Sequence, residues 1–266
     1  MKYLYLSIGL FILILFLFSP AITSLPIMKN FFEEEVSVTN VNEQKINSDL
    51  IGRVSTLQEK NPIIREIARE FQVYMVENLD DILILVNKER ALPEDYVPSD
   101  LVEPDVLFSF DEPLPQRLLR QEAAEALEEL FEAAAKENIH LFAVSGFRSF
   151  ERQQAIFAFN WETHGEERAN QYSARAGHSE HQTGLAMDIT SQSVNFQIST
   201  SFGETEEGIW VKENAAKFGF IIRYPEGKEE ITGYHYEPWH LRYVGIDAAM
   251  EIEELGITLD EYILGY

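Results

Sequence analysis

Two short stretches hold the side chains best suited to chemistry. GHSEHQTGLAMDIT (residues 177–190) carries His178 and His181, with Asp188 seven residues after His181. Further along, EPWH sets Glu237 three residues before His240. Imidazole and carboxylate are ligands for a divalent metal, and the chain has no cysteine to offer in their place. Catalytic zinc commonly takes three such ligands and leaves one position open. It also works with a carboxylate that is not a ligand and takes the proton of the attacking water. His181, Asp188 and His240 meet the first requirement, and Glu237 meets the second. Taken alone, each motif is equally the pattern of a histidine satisfied by a nearby acid. No HExxH helix is present to anchor a metal, so spacing leaves both readings open.

The elements around these residues must bring them together. His181 lies in a loop bounded by Gly177 and Gly184, and GLAMDIT has the composition of a strand. HLFAVSGFRS (140–149) reads as a buried strand ending at Gly146, with His140 at its entrance, and a helix over about 150–163 follows from Ser149. Upstream, Leu118, Leu119, Ala123, Ala126, Leu127, Leu130 and Phe131 form one apolar stripe of a helix over about 116–138, its glutamates facing water. Residues 208–225 read as helix, turn at Gly219 and strand; 236–245 is a last strand, and a helix over about 247–255 closes the chain. DDILILVN (80–87) is a short β-type run. The segment 91–106, with Pro93, Pro98 and Pro104, is an extended wrap or loop. Helices and strands alternate without a βαβα rhythm, which predicts an α+β fold with a small antiparallel sheet and flanking helices. His164 sits in a polar loop. His178 and His235 neighbour the motifs without a ligand's place in them, and Trp239 is expected to pack beneath the site.

Composition narrows the classes further. A formal charge of −24, from 45 acids against 21 bases, repels phosphate backbones, so nucleic acid is not expected as a partner. The absence of cysteine excludes disulfide frameworks, thiolate zinc fingers and cysteine nucleophiles. The start of the chain, Lys2 followed by an apolar run from Tyr3 to Phe18 and then Pro20, predicts a signal peptide or N-terminal membrane anchor over residues 1–28. Residues 29–79 are a polar spacer with a helix near 62–76, starting at Asn61-Pro62. Residues 80–266 form the remaining domain.

SEHQTGLAMD fits the pattern Ser-x-His-x-x-Gly-x-Ala-x-Asp, and EPWH fits Glu-x-x-His. Together with AVSGFRSFERQ and RYPEGKEEITGYHYEPWHLRYVG, they resemble the VanY-type D-alanyl-D-alanine carboxypeptidases and their LdcB-like L,D-carboxypeptidase relatives. The resemblance runs from LVNKERALPEDYVP to the C-terminus. It implies a zinc domain of the hedgehog and D-Ala-D-Ala-peptidase type that trims the stem peptides of peptidoglycan. It further implies one zinc ion on His181, Asp188 and His240, with Glu237 as general base. Arg148 would stabilise the oxyanion or hold substrate, and Gln153, Ser179 and Tyr234 would bind the peptide's C-terminal end. Ala176 departs from the proline that relatives often carry there. The expected partner is a stem peptide ending in D-Ala, met outside the cytoplasm by a monomer held at the membrane or released to the wall. Whether the cut is D,D or L,D stays open, as do the rival readings of an endopeptidase and a non-catalytic wall-binding module. A serine mechanism is excluded, because no serine is followed three residues later by lysine.

Overall fold

The described residues of this computed structural model are 74–76 and 78–265. The expected N-terminal segment 1–28 lies outside them, as do most of the spacer and its helix up to residue 73. Where that helix was expected to end, Tyr74–Met75 instead form a short strand, β1, parallel to β2, Arg90–Ala91. The backbone N–H groups of Tyr74 and Val76 find the carbonyls of Glu89 and Ala91, so a strand partner replaces a helical turn. Among the described residues no helix is long and apolar enough to cross a membrane.

The fold is α+β, as expected. Its main sheet has four antiparallel strands: β5 (Phe142–Ser145), β6 (Ala186–Thr190), β7 (Phe220–Tyr224) and β8 (Glu237–Tyr243), in the order β5-β6-β8-β7. Every residue of β6 is buried. Strand alternation sends Met187 and Ile189 to one face and Asp188 to the other. Met187, Ile189 and Leu241 join a core with Leu119, Ala123, Leu127 and Leu130, four members of the predicted stripe. The helix carrying most of that stripe, α1 (Gln121–Lys136), starts later than its periodicity suggests. Before it, Pro115–Arg117 form a 3-10 turn, and β4 (Leu119–Arg120) pairs with β3 (Leu101–Val102), which lies within the proline-bearing wrap.

Three further expectations need correction. DDILILVN is not a strand; Ile84, Leu85 and Val86 are buried in an irregular segment. The carbonyls of Ile82 and Ile84 both accept from the Arg242 guanidinium at 2.8 Å, so an arginine stands where a strand partner would. His140 is exposed and lies before β5 rather than inside it. The helix expected over 208–218 is α4 (Glu206–Asn214) followed by a 3-10 turn, Ala215–Phe218.

The second helix runs as expected. It is capped by the Ser149 hydroxyl, which accepts from Arg152 N–H at 3.3 Å; we number it α2 (Phe150–His164), and α3 (Glu166–Tyr172) follows. The turn at Gly219 has φ +80°, and a Cβ there would stand 2.8 Å from the Tyr243 ring, so glycine is required both for conformation and for space. After the four-residue α5 (Glu229–Thr232) and strand β8, α6 (Ile246–Leu255) and α7 (Leu259–Leu264) pack a second core. That core contains Leu85, Ile221, Val244, Ile252 and Leu259. Leu127, with no exposed surface, gives the prediction for this fold. Leu127→Ala should cost about 2–5 kcal/mol of unfolding free energy in urea denaturation. Glu129→Ala on the exposed face of α1 should stay within about 0.5 kcal/mol.

Candidate metal centre

Strand register assembles the site. Asp188 on β6 stands directly opposite His240 on β8, and on its other side opposite Ser145 of β5. Glu237 and His240 are three residues apart, which in a regular strand would put them on opposite faces. However, Glu237 pairs with Tyr224 while Leu241 pairs with Ile222, so β8 spends four steps where β7 spends two. This irregularity contains Pro238, which has no N–H to give a ladder. It allows Glu237 Oε2 to come within 3.9 Å of His240 Nδ1. His181 is delivered by a 3-10 turn, Glu180–Thr183, closed by Gly184 in the left-handed conformation.

One ligand atom from each of His181, Asp188 and His240 lies within 4.8 Å of the others, and all three residues are buried. His181 Nε2 is 3.3 Å from Asp188 Oδ2, and His240 Nδ1 is 2.9 Å from Asp188 Oδ1. The outer ring nitrogens are otherwise engaged. His181 donates from Nδ1 to the Gly146 carbonyl at 2.9 Å, and His240 donates from Nε2 to Glu180 Oε2 at 3.4 Å. With the outer nitrogens held in this way, His181 Nε2 and His240 Nδ1 are the ring atoms that face Asp188, and they are the ones that would turn to a metal, as in sites where a ligating histidine donates its other nitrogen to a protein acceptor. The donor set of two nitrogens and a carboxylate fits a divalent cation such as zinc.

Electrostatics favour a cation at the same place. Burial works against a charged His240, but Asp188 and Glu180 outweigh it and push the ring up to about 9. Burial, then Arg148, holds His181 low. Asp188 would be raised by burial, yet the two histidines hold its carboxyl well below the usual range. Glu237 is pushed up to about 7, first by burial and then by Asp188, against the opposing pull of His240 and Arg148. Asp188 is thus held as an anion where the three ligand atoms meet.

The other residues singled out in the sequence fall into two groups. Arg148 reaches the centre, with Nη2 3.9 Å from Asp188 Oδ2. It is held by Gln153 Oε1 at 2.8 Å and Ser145 Oγ at 3.1 Å. Gln153 lies behind it; its amide nitrogen donates to the Ala174 carbonyl at 2.6 Å. Ser179, the residue preceding the 3-10 turn, and Tyr234 are buried, and Tyr234 packs against the Tyr224 ring at 4.8 Å. No hydrogen bond among the described residues engages either hydroxyl. His178 turns away to the Asn87 carbonyl at 2.8 Å, and His235 stacks on Tyr172 at 4.8 Å. Trp239 packs against the main core. Sequence reasoning missed Glu180, fully buried inside the first motif, with Arg223 and Arg242 on its carboxylate. The only local signal was its place between Ser179 and His181.

Comparison with known proteins agrees with the motifs. The family model VanY, described as D-alanyl-D-alanine carboxypeptidase, matches residues 116–246. YodJ of Bacillus subtilis (strain 168) is 55% identical over 187 residues, covering 70% of this chain and 68% of YodJ. A solved structure of the LdcB LD-carboxypeptidase, described as revealing the basis of peptidoglycan recognition, superimposes with a TM-score of 0.70 at 54% identity. It covers 72% of this chain and 89% of that one. A mutant of the vancomycin-resistance D,D-pentapeptidase VanY, in complex with Zn(II), gives a TM-score of 0.56 at 35% identity over 68% of this chain and 98% of that one.

The centre predicts that the protein binds one zinc ion per chain. Asp188→Ala should weaken that binding by at least about 100-fold in competition with a chromophoric chelator. A similar loss is expected for His181→Ala.

Proposed function

Because the chain belongs to the VanY family of D-alanyl-D-alanine carboxypeptidases, we propose that it removes the C-terminal D-alanine from peptidoglycan stem peptides, with His181, Asp188 and His240 holding one zinc ion and Glu237 acting as general base. It is a metallopeptidase by family. The observation that carries the reading is the meeting of three buried ligand atoms with Glu237 beside them. When bound, zinc would act as a Lewis acid and make water a nucleophile near neutral pH. Glu237, partly buried and 3.9 Å from His240, is placed to accept that water's proton and pass it to the leaving amine. Arg148, fixed by Gln153 and Ser145, carries the positive charge that a developing oxyanion or a substrate carboxylate needs. Ser179 and Tyr234 supply hydroxyls for the peptide's end. Greater likeness to LdcB than to the VanY pentapeptidase favours the tetrapeptide, and so an L,D cut.

The same reading places the enzyme outside the cytoplasm, where stem peptides are displayed, with residues 1–28 as signal or anchor. The apolar run from Tyr3 to Phe18 supports it. Fractionation of producing cells tests it, and soluble cytoplasmic protein would contradict it.

D-alanine release from synthetic tetrapeptide and pentapeptide, with and without chelator, tests the reaction. Release from tetrapeptide, abolished by chelator and restored by zinc, is the expected result. Release from pentapeptide alone would make the enzyme D,D. No release from either by zinc-loaded protein would leave the endopeptidase or the wall-binding module.

Glu237→Gln should lower kcat by about 10²–10⁴-fold while zinc stays bound. The sign of the pH dependence follows from a base that must be ionised. Activity rises as Glu237 loses its proton, and a neighbouring cation lowers its value from about 7. The acidic limb of kcat/KM should therefore lie below about 7 and disappear in Glu237→Gln.

A further inference from the structure

Glu180 is a buried carboxylate that the proposed reaction does not use. It is 1% exposed and lies on the turn that delivers His181. Its two oxygens have different partners. Oε1 accepts from Arg223 Nε at 2.7 Å and from Arg242 Nη1 at 2.8 Å, whereas Oε2 faces His240 Nε2 at 3.4 Å.

Both arginines are themselves immobilised. Arg223 donates from Nη1 to Asp260 Oδ2 on α7 at 2.7 Å, and Asp260 Oδ1 accepts from Asn87 at 2.8 Å. Arg242 donates from Nη2 to the carbonyls of Ile82 and Ile84, and from Nε to the Tyr243 carbonyl at 3.0 Å. Arg223 and Arg242 have no exposed surface. Buried ion pairs of this kind seldom stabilise a protein better than apolar side chains of the same volume, so stability alone does not account for them. Their geometry has a directional consequence instead. With Oε1 pinned by two guanidinium groups, Oε2 is fixed in space, and it is the only partner of the outer nitrogen of His240 among the described residues.

We infer that Glu180, clamped by Arg223 and Arg242, is a positioning residue that sets the tautomer and ring rotation of His240, so that Nδ1 faces the metal position. One turn thus supplies a ligand, His181, and the orienting group for a second ligand on another strand. Asp260 extends the support to the C-terminal helix. The inference rests on the reading of His181, Asp188 and His240 as ligands.

Two variants of the full chain test it. Glu180→Asp keeps a carboxylate for the arginines but withdraws it from the imidazole. Glu180→Gln keeps the length and removes the charge. Zinc affinity is read by competition with a chromophoric chelator, ligand geometry by the visible spectrum of the cobalt-substituted protein, and fold by circular dichroism and melting of the metal-free protein. A folded Glu180→Asp should bind zinc about 10–100-fold more weakly than wild type, with an altered cobalt spectrum. Glu180→Gln, where it folds, should do the same. Wild-type affinity and spectrum in a folded variant overturn the inference, whatever the melting temperature does. Loss of the metal-free fold in both variants also overturns it and leaves Glu180 a structural residue. Wild-type protein that takes up no zinc fails the ligand reading itself, and this inference with it.

Discussion

The carboxylates of Glu180 and Asp188, buried, and of Glu237, partly buried, converge on the single imidazole of His240 at 3.4, 2.9 and 3.9 Å. Like charges this close in a medium of low polarity repel strongly unless each is answered. Much of the surrounding structure answers them. Arg223 and Arg242 take Glu180, and Arg148 stands beside Asp188. Among the described residues Glu237 forms no ion pair with a guanidinium, and of the three carboxyls it is the one driven upward, to about 7. The separation is chemically useful: the most heavily compensated acid is fixed as an anion, and the least compensated is the one able to exchange a proton near neutrality.

The backbone that holds this charge is irregular in two places, and both irregularities serve the site. A register shift between Ala143 and Ser145 sets Ser145 against Asp188, from where its hydroxyl holds Arg148. The second, in β8, turns Glu237 to the side of His240. Between them, Gly146 brings its carbonyl to His181 Nδ1. A Cβ on Gly146 would lie 2.4 Å from the Leu118 carbonyl oxygen, so no larger residue fits between that strand end and the segment leading into α1. The apolar face of the same sheet is regular and packs on α1. Regular pairing secures the core, and departures from it aim the polar side chains.

This division explains what could be read from the sequence. A period-3.6 stripe marked α1 because burial on one face imposes it locally, and composition marked β6, which is buried on both faces. The His181–Asp188 and Glu237–His240 spacings were legible because each pair lies within eight residues. Their union depended on the β6–β8 register, which no local pattern encodes, and the family resemblance supplied it. Glu180 escaped because its partners lie 43 and 62 residues away. An arginine in a strand such as FIIRY reads by default as solvent-facing. DDILILVN misled for the complementary reason. Its composition is that of a strand, but its carbonyls are satisfied by Arg242, a side chain 160 residues away in the case of Ile82.

Gln153 shows how burial divides roles that residue type leaves merged. The resemblance grouped it with Arg148, Ser179 and Tyr234 around the end of the peptide. In the fold, its oxygen accepts from Arg148 and its nitrogen donates to the Ala174 carbonyl, and the residue is 1% exposed. An amide engaged at both ends serves a substrate poorly as a donor, but it holds a guanidinium well. Ser179 and Tyr234 are in the opposite position: both residues are buried, but no hydrogen bond among the described residues engages either hydroxyl. A hydroxyl that no protein group engages is left available to donate to a peptide terminus. On the carboxypeptidase reading, substrate contact therefore falls to Arg148, Ser179 and Tyr234, with Gln153 keeping the arginine in place.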